Sequence, residues 1–281
     1  MFSRSRLQTR FAILPPSRTA ALNAFRSPQT DNRSYHDLMA RMQRLRGRVY
    51  GADGAIRRSD LTSDGRHKLS VDERSWHVLS LDSSGEVTAC LRFLEETGES
   101  GLDRLQVRHA AVLDCPVQGP RFRRAVELEM KRARRGSVRF GEVGGWAVAE
   151  GRRCTTESLN IVLATYGLLE LLGSCTGVAT ATFRHQSALI LQRIGLAAIQ
   201  LDGAEIPPYH DPQYGCLMQV LMFDSRRPNP KYREWIAELM AELAISPVVC
   251  REDMGTTIGR VWRGMDAPDF ARQPEALAVG A

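Results

Sequence analysis

Over residues 35–50 the apolar positions Leu38, Met42, Leu45 and Val49 recur every three or four residues. That spacing predicts a helix with one buried face. A polar loop follows over 51–73, carrying Asp53, Asp60, Asp64, Asp72 and Glu73. The period then changes to two. Residues 76–82 and 86–94 read as strands joined by the turn DSSG. Residues 95–118, with Gly98, Gly101 and Pro116, read as loop. Helical spacing returns over 119–136 through Phe122, Ala125, Val126, Met130 and Ala133.

The stretch from Val138 to Gly195 carries the most information. Residues 138–149 read as a buried strand and GRRCTT (151–156) as a basic, hydroxyl-bearing turn. Residues 158–173 are apolar on almost every face, so other elements must bury that helix. Residues 176–183 read as a strand, and 184–195 as an amphipathic helix stopping at Gly195. Beyond it come a short strand (197–201), a proline-broken loop (204–215), an apolar strand (216–224) and a helix over 230–243. The order predicts an α/β protein with a mixed sheet and helices on both faces. It also sets a helix N-terminus beside the end of a strand, which suits a phosphate-bearing ligand.

Composition narrows the classes. Hydrophobic content of 43% with 25% charge fits a globular chain, and no apolar run reaches spanning length. Lys68, Lys131 and Lys231 are the only lysines, so arginine carries the net charge of +6. The six cysteines form no C-x-x-C, and no histidine pair has zinc spacing, so free thiols, no metal and a cytoplasmic setting are expected. Residues 1–34 are Arg- and Ser-rich with no acid before Asp31. A transit peptide, a mis-called start and a disordered basic arm share that composition. The disordered arm is expected here, with one domain over 35–246 and a largely disordered extension over 247–281.

HQSALILQRIG (185–195) is similar to the N-x-x-A-x-x-L-Y-x-x-x-G pattern of GNAT acyltransferases, with Ala188 and Gly195 in register. His185 stands where that family often has Asn, and Leu191 where many acetyl-CoA enzymes carry Tyr. The usual glycine-rich loop is absent. MARMQRLRGRVY (39–50), the acidic loop and WHVLSLDSSGEVTACLRFL (76–94) resemble acyl-homoserine-lactone synthases and long-chain N-acyl amino acid synthases more narrowly. The resemblance covers roughly residues 38–224. It implies a GNAT-like fold with an extra helix, here 119–136, between the family's third and fourth strands. It also implies acyl transfer to the amine of an amino acid or similar small molecule. The donor would be acyl-CoA or the phosphopantetheine of acyl carrier protein (acyl-ACP). The other readings are an acetyl-CoA-dependent N-acetyltransferase and a non-catalytic module that binds acyl thioesters or a partner.

The resemblance also assigns residues. Glu142, an acid in a strand of small and apolar residues, would help deprotonate the amine. A solvent-facing edge carboxylate is the bland alternative. Alternation puts Arg92 on the face of Cys90 and Leu94, where it would pair with Asp72, or less well Asp60, and shape the acceptor pocket. An arginine snorkelling from a sheet edge is the alternative. The donor would lie over Val148, Ala149, Arg152, Arg153, Thr155 and Thr156, where an ordinary threonine-capped helix start would look the same. Trp146, His185, Tyr209 and Tyr214 would line the substrate pocket. The arginines of 119–136 would suit an acidic carrier protein, although a solvated helix face explains them equally. No aromatic platform accompanies them, so nucleic acid is not expected.

Overall fold

The computed structural model describes residues 10–17, 21–96 and 101–252. In chain order it runs β1 (Arg10–Leu14), β2 (Pro28–Thr30), α1 (Asn32–Ala52), β3 (Trp76–Leu81), β4 (Val87–Glu95), α2 (Gln118–Arg135), β5 (Arg139–Val148), α3 (Glu157–Leu171) and β6 (Cys175–Thr182). It continues with α4 (Ser187–Ile194), β7 (Ala197–Ala198), β8 (Gln200–Leu201), β9 (Ala204–Glu205), β10 (Tyr209–Asp211), β11 (Cys216–Asp224), α5 (Arg233–Ile245) and β12 (Val248–Cys250).

One mixed sheet has the order β10-β11-β6-β5-β4-β3-β1-β12-β2, with β7 added against β11. The centre, from β6 to β3, has one parallel pair, β5 with β6. Alternation along the strands sorts the core into two faces. Ala89, Leu91 and Phe93 of β4 join α3, α4 and α5 on one face. On the other, Cys90 packs with α1 and Leu94 with α2. Arg92 falls between them, in the seam between two apolar clusters. The apolar helix is α3, and it is covered as its composition demands. A Cβ at Gly167 would meet the Met240 backbone at 3.0 Å, so glycine there lets α3 and α5 approach closely.

Two expectations are corrected. The arm is not disordered over its described residues: Phe11–Leu14 are buried in β1, which pairs with β3 from Arg10↔Leu81 to Leu14↔His77. The start of the expected extension is also built in, because β12 joins β1 and β2 in parallel. Four apolar residues in an arginine-rich context do not announce a strand whose partners, β3 and β12, are distant in the chain. Residues 253–281 lie outside the described residues. Smaller differences have local causes. The helix expected from 184 starts at Ser187, since Gln186 sits in the left-handed region (φ 56°). The strand expected over 197–201 divides into β7 and β8, and the loop before α2 contains three short 3-10 turns (Gly101–Arg104, Gln106–His109, Ala111–Asp114).

Candidate active site

The sheet opens between β5 and β6. Their parallel pairing runs from Arg139↔Cys175 to Val143↔Ala179 and stops, although β5 continues to Val148 and β6 to Thr182. On its other side β5 stays paired with β4 as far as Val148↔Ala89. Beyond Val143, therefore, the β6-facing edge of β5 has no strand beside it. A bulge marks the same place. Cys90 pairs with Ala147 and Arg92 with Gly144, so β5 has one extra residue there. Gly145 takes the left-handed φ of 66° that this bulge needs. The extra residue reverses the alternation. Phe140 packs on the α2 side, whereas Trp146 and Val148 pack on the α3 side. Trp146 is thus turned to the face opposite Phe140. Its carbonyl accepts from the Tyr50 hydroxyl at 3.3 Å.

Glu142 and Arg92 form the centre of the opening. They are 4% and 3% exposed, which excludes both the solvent-facing and the snorkelling alternatives. Arg92 Nη2 donates to Glu142 Oε1 at 3.3 Å, and the Val107 N–H donates to Oε2 at 2.8 Å. Burial pushes the Glu142 carboxyl above its ordinary value, against the opposing pull of Arg92 and of the Val107 and Gln106 amides. Arg92 Nε and Nη1 are buried with no hydrogen-bond partner. A Cβ at Gly144 would stand 3.2 Å from Arg92 Nη2 and 3.6 Å from Glu142 Oε1, so glycine leaves room directly at the pair. Tyr209 and Tyr214 come to the same place. Burial raises both phenols, and Tyr209 also feels the charge of Glu142, Tyr214 that of Arg92. The Tyr209 hydroxyl is buried and unpartnered.

Asp72 is not the partner of Arg92, which corrects that expectation. Its carboxylate receives Arg46 Nη1 and Nη2 at 2.8 and 2.6 Å, Gln43 Nε2 at 2.9 Å and the Leu69 N–H at 3.0 Å. Burial alone would raise its carboxyl, but Arg46 outweighs burial and holds it at about 2. Asp60 is engaged locally, accepting from the Arg57 N–H at 2.8 Å. The sequence reading missed Arg46. The signal was present, because Arg46 lies four residues after Met42 and four before Tyr50, on the apolar stripe of α1.

The expected donor residues gather after β5, but their polar groups are already engaged. The Ala149 N–H donates to the Thr88 carbonyl at 2.8 Å, and Val148 is buried in the core. The Thr155 hydroxyl donates to the Arg152 carbonyl and accepts from the Glu157 N–H, and Thr156 makes no side-chain cap. Arg153 is bound to Asp53 and Arg152 lies 4.0 Å from Glu157. Glu157 is itself buried at the first position of α3 and accepts from the Thr88 hydroxyl. His185 pairs with Asp53 at 3.4 Å rather than with the Arg92–Glu142 pair. On α2, three arginines lie near acids: Arg123 to Asp103, Arg132 to Glu129 and Arg134 to Glu96. Among the described residues no group of His, Cys, Asp or Glu could hold a metal ion. Among them, too, no helix is long and apolar enough to cross a membrane.

No protein-family model matches the chain, and no curated protein matches it. Solved structures do. A CoA-dependent acyl-homoserine lactone synthase, BjaI, bound to SAM and isopentyl-CoA, superposes with a TM-score of 0.51 at 16% identity, covering 87% of this chain and 93% of that one. FeeM, an N-acyl amino acid synthase from uncultured soil microbes, matches with a TM-score of 0.41 at 14% identity over 66% of this chain and 83% of its own. The likeness to BjaI shows a shared fold, the GNAT-like acyltransferase fold with its added helix, here α2, between β4 and β5.

Proposed function

We propose that the chain is an N-acyltransferase. It would carry an acyl group from acyl-CoA or acyl-ACP to the amine of an amino acid or a similar small molecule. The observation that carries this reading is the buried Arg92–Glu142 pair, left open over Gly144 where β5 and β6 part. The fold shared with BjaI, whose structure holds SAM and isopentyl-CoA, supports it.

The chemistry follows from these groups. An ammonium is not a nucleophile, so the acceptor must first lose a proton. Glu142, its carboxyl raised by burial, takes that proton directly or through water. The freed amine attacks the thioester carbonyl. The new C–N bond forms and the C–S bond breaks; the Tyr209 phenol would give its proton to the departing thiolate and regain one from the attacking nitrogen, which loses its second proton as the amide forms. Negative charge builds on the carbonyl oxygen in between, and backbone N–H groups on the open edge of β5 are its natural donors. Arg92 keeps Glu142 in place and offers its unfilled Nε and Nη1 to the acceptor.

A binding module without turnover is the second reading. It is favoured by one observation: both Glu142 oxygens already accept hydrogen bonds. Free-thiol release from long-chain acyl-ACP, long-chain acyl-CoA and acetyl-CoA, each with mixed amino acids, separates the readings. Release that needs a long chain and an amino acid supports the proposal. Release from acetyl-CoA alone moves the assignment to an acetyltransferase, and none from any donor leaves the binding module.

A further inference from the structure

Asp53 is the residue that closes the C-terminal end of α1. A carboxylate there faces the negative end of the helix dipole, so it needs cations nearby. They are present. Arg153 Nη1 and Nη2 reach Asp53 Oδ1 at 3.2 Å each, and Nη2 reaches Oδ2 at 3.3 Å. His185 Nε2 lies 3.4 Å from Oδ1. Arg184 Nη1 donates to the Asp53 carbonyl at 2.6 Å, while its Nη2 holds the Tyr214 and Gly215 carbonyls at 2.7 and 3.1 Å. These side chains come from the two lips of the opening in the sheet. Arg153 lies between β5 and α3, and Arg184 and His185 lie between β6 and α4. The carboxyl ends of two parallel strands, where they part, form the crevice in which α/β folds receive ligands.

The charges do not balance. Two guanidiniums and an imidazole gather around one carboxylate, and Arg184 finds only carbonyl oxygens. The Asp53 side chain is 19% exposed and that of Arg153 35%, so an anion can replace the carboxylate without opening the core. Of the acids near this loop, Asp53 is the one these side chains hold; Glu157 is buried at the start of α3 under the Thr88 hydroxyl.

We propose that Arg153, Arg184 and His185 form an anion site that Asp53 occupies from within the chain, and that a phosphate group of the thioester donor displaces Asp53 when it binds. The proposal rests on the reading of the chain as an acyltransferase that takes a phosphate-bearing donor. A phosphate brings more charge and more acceptor oxygens than a carboxylate. Asp53 therefore acts as an intramolecular competitor that lowers donor affinity.

The test is calorimetric titration of the full chain with coenzyme A, pyrophosphate and pantetheine, which lacks phosphate. Asp53→Asn should tighten coenzyme A and pyrophosphate about fivefold, as loss of a partly exposed competing charge allows, and leave pantetheine unchanged. Arg153→Ala should weaken the same two ligands by a similar factor, and in that background Asp53→Asn should add nothing. Holo acyl carrier protein distinguishes the source. A gain for both it and coenzyme A places the phosphopantetheine phosphate at the site, and a gain for coenzyme A alone places a nucleotide phosphate there.

Unchanged or weaker coenzyme A binding by a folded Asp53→Asn protein overturns the proposal, as does no binding of coenzyme A or pyrophosphate to either protein. Should Asp53→Asn fail to fold, Arg153→Ala decides alone, and an unchanged coenzyme A affinity there overturns the site. These readouts are affinities. A chain that binds as expected but releases no thiol from any acyl donor would sink the acyltransferase reading and not this one.

Discussion

Two buried ion pairs lie on the same face of the sheet, and they are built differently. Arg46–Asp72 is closed. Both guanidinium Nη groups reach the carboxylate, Nη2 also donates to the His67 carbonyl at 2.7 Å, Gln43 and the Leu69 N–H also donate to the carboxylate, and only Nε of Arg46 lacks a partner. Arg92–Glu142 is open. It has a single 3.3 Å contact, two guanidinium nitrogens without partners and a glycine beside it. The electrostatics follow the geometry. Asp72 is held down at about 2, while the Glu142 carboxyl is raised. Two pairs of similar burial thus do opposite jobs. The closed pair anchors α1 and the loop behind it to the sheet, and the open pair retains binding capacity that a ligand can use.

The largest expected effect is on the closed pair. Removing one partner of a buried pair costs about 3–5 kcal/mol, so Arg46→Ala, which breaks two bonds to Asp72, should lose that much in denaturant unfolding. Arg92→Ala should lose less, about 1–2 kcal/mol, because Glu142 keeps the Val107 N–H and its raised carboxyl takes up a proton readily. Equal losses would erase the distinction between the pairs. Next comes Glu142→Gln. It should unfold at nearly the wild-type denaturant concentration while turnover falls about 10²–10⁴-fold, the range for a lost general base. Full turnover at saturating substrate would remove Glu142 from the reaction.

Much of the framework was legible in the sequence, because strong periodicity reports it. The helix at 119–136, the all-apolar helix, the turn DSSG and the face on which Arg92 sits are all found close to where the pattern places them. Glu142 stood out because an acid among small and apolar residues needs partners. What failed were pairings across distance. Arg92 and Asp72 were the obvious couple on charge, but Asp72 belongs to an arginine of α1, and Arg92 faces across the ladder to β5. A regular strand would keep Trp146 on the face of Glu142. One extra residue at the Gly145 bulge turned it over. β1 and β12 stabilise each other only once both ends of the chain have come together, which no local window shows.

Acidification should separate the pairs again. His77, wholly buried, has its imidazole lowered to about 4 by desolvation, and its Nε2 donates to the Asp72 carbonyl at 2.8 Å. Its value in the unfolded chain is 6.5. Between pH 6.5 and 4 the unfolded chain therefore binds the extra proton, and stability present above pH 6.5 is lost as pH falls through that range. Asp72 extends the loss from about pH 4 toward 2. Glu142 has the opposite sign, since a raised carboxyl favours the folded state on acidification. Unfolding at pH 6.5 and at pH 4 should differ by on the order of 2 kcal/mol in the destabilising direction, and His77→Gln should flatten most of that difference. A flat wild-type profile would mean that His77 is not held neutral.

The smallest effect is the sharpest test of openness. At Gly144 the backbone does not require glycine, because its φ lies outside the left-handed region that Gly145 adopts. Alanine is therefore tolerated by the chain, and its methyl group would sit 3.2 Å from Arg92 Nη2 and 3.6 Å from Glu142 Oε1. Nothing else is displaced, so the melting temperature should move little. What the methyl fills is the approach to the pair. If an acceptor reaches Arg92 and Glu142 over Gly144, Gly144→Ala should raise the acceptor KM about tenfold, equivalent to about 1.4 kcal/mol, and leave donor affinity alone. The split matters, because the proposed donor phosphate site lies at the other end of the opening, near Arg153. A parallel loss in donor binding would show that the methyl distorts the strand. An unchanged acceptor KM would mean that the substrate reaches Glu142 from the side of Val107 and Tyr209, and that the room beside Gly144 serves only the packing of β5 on β4.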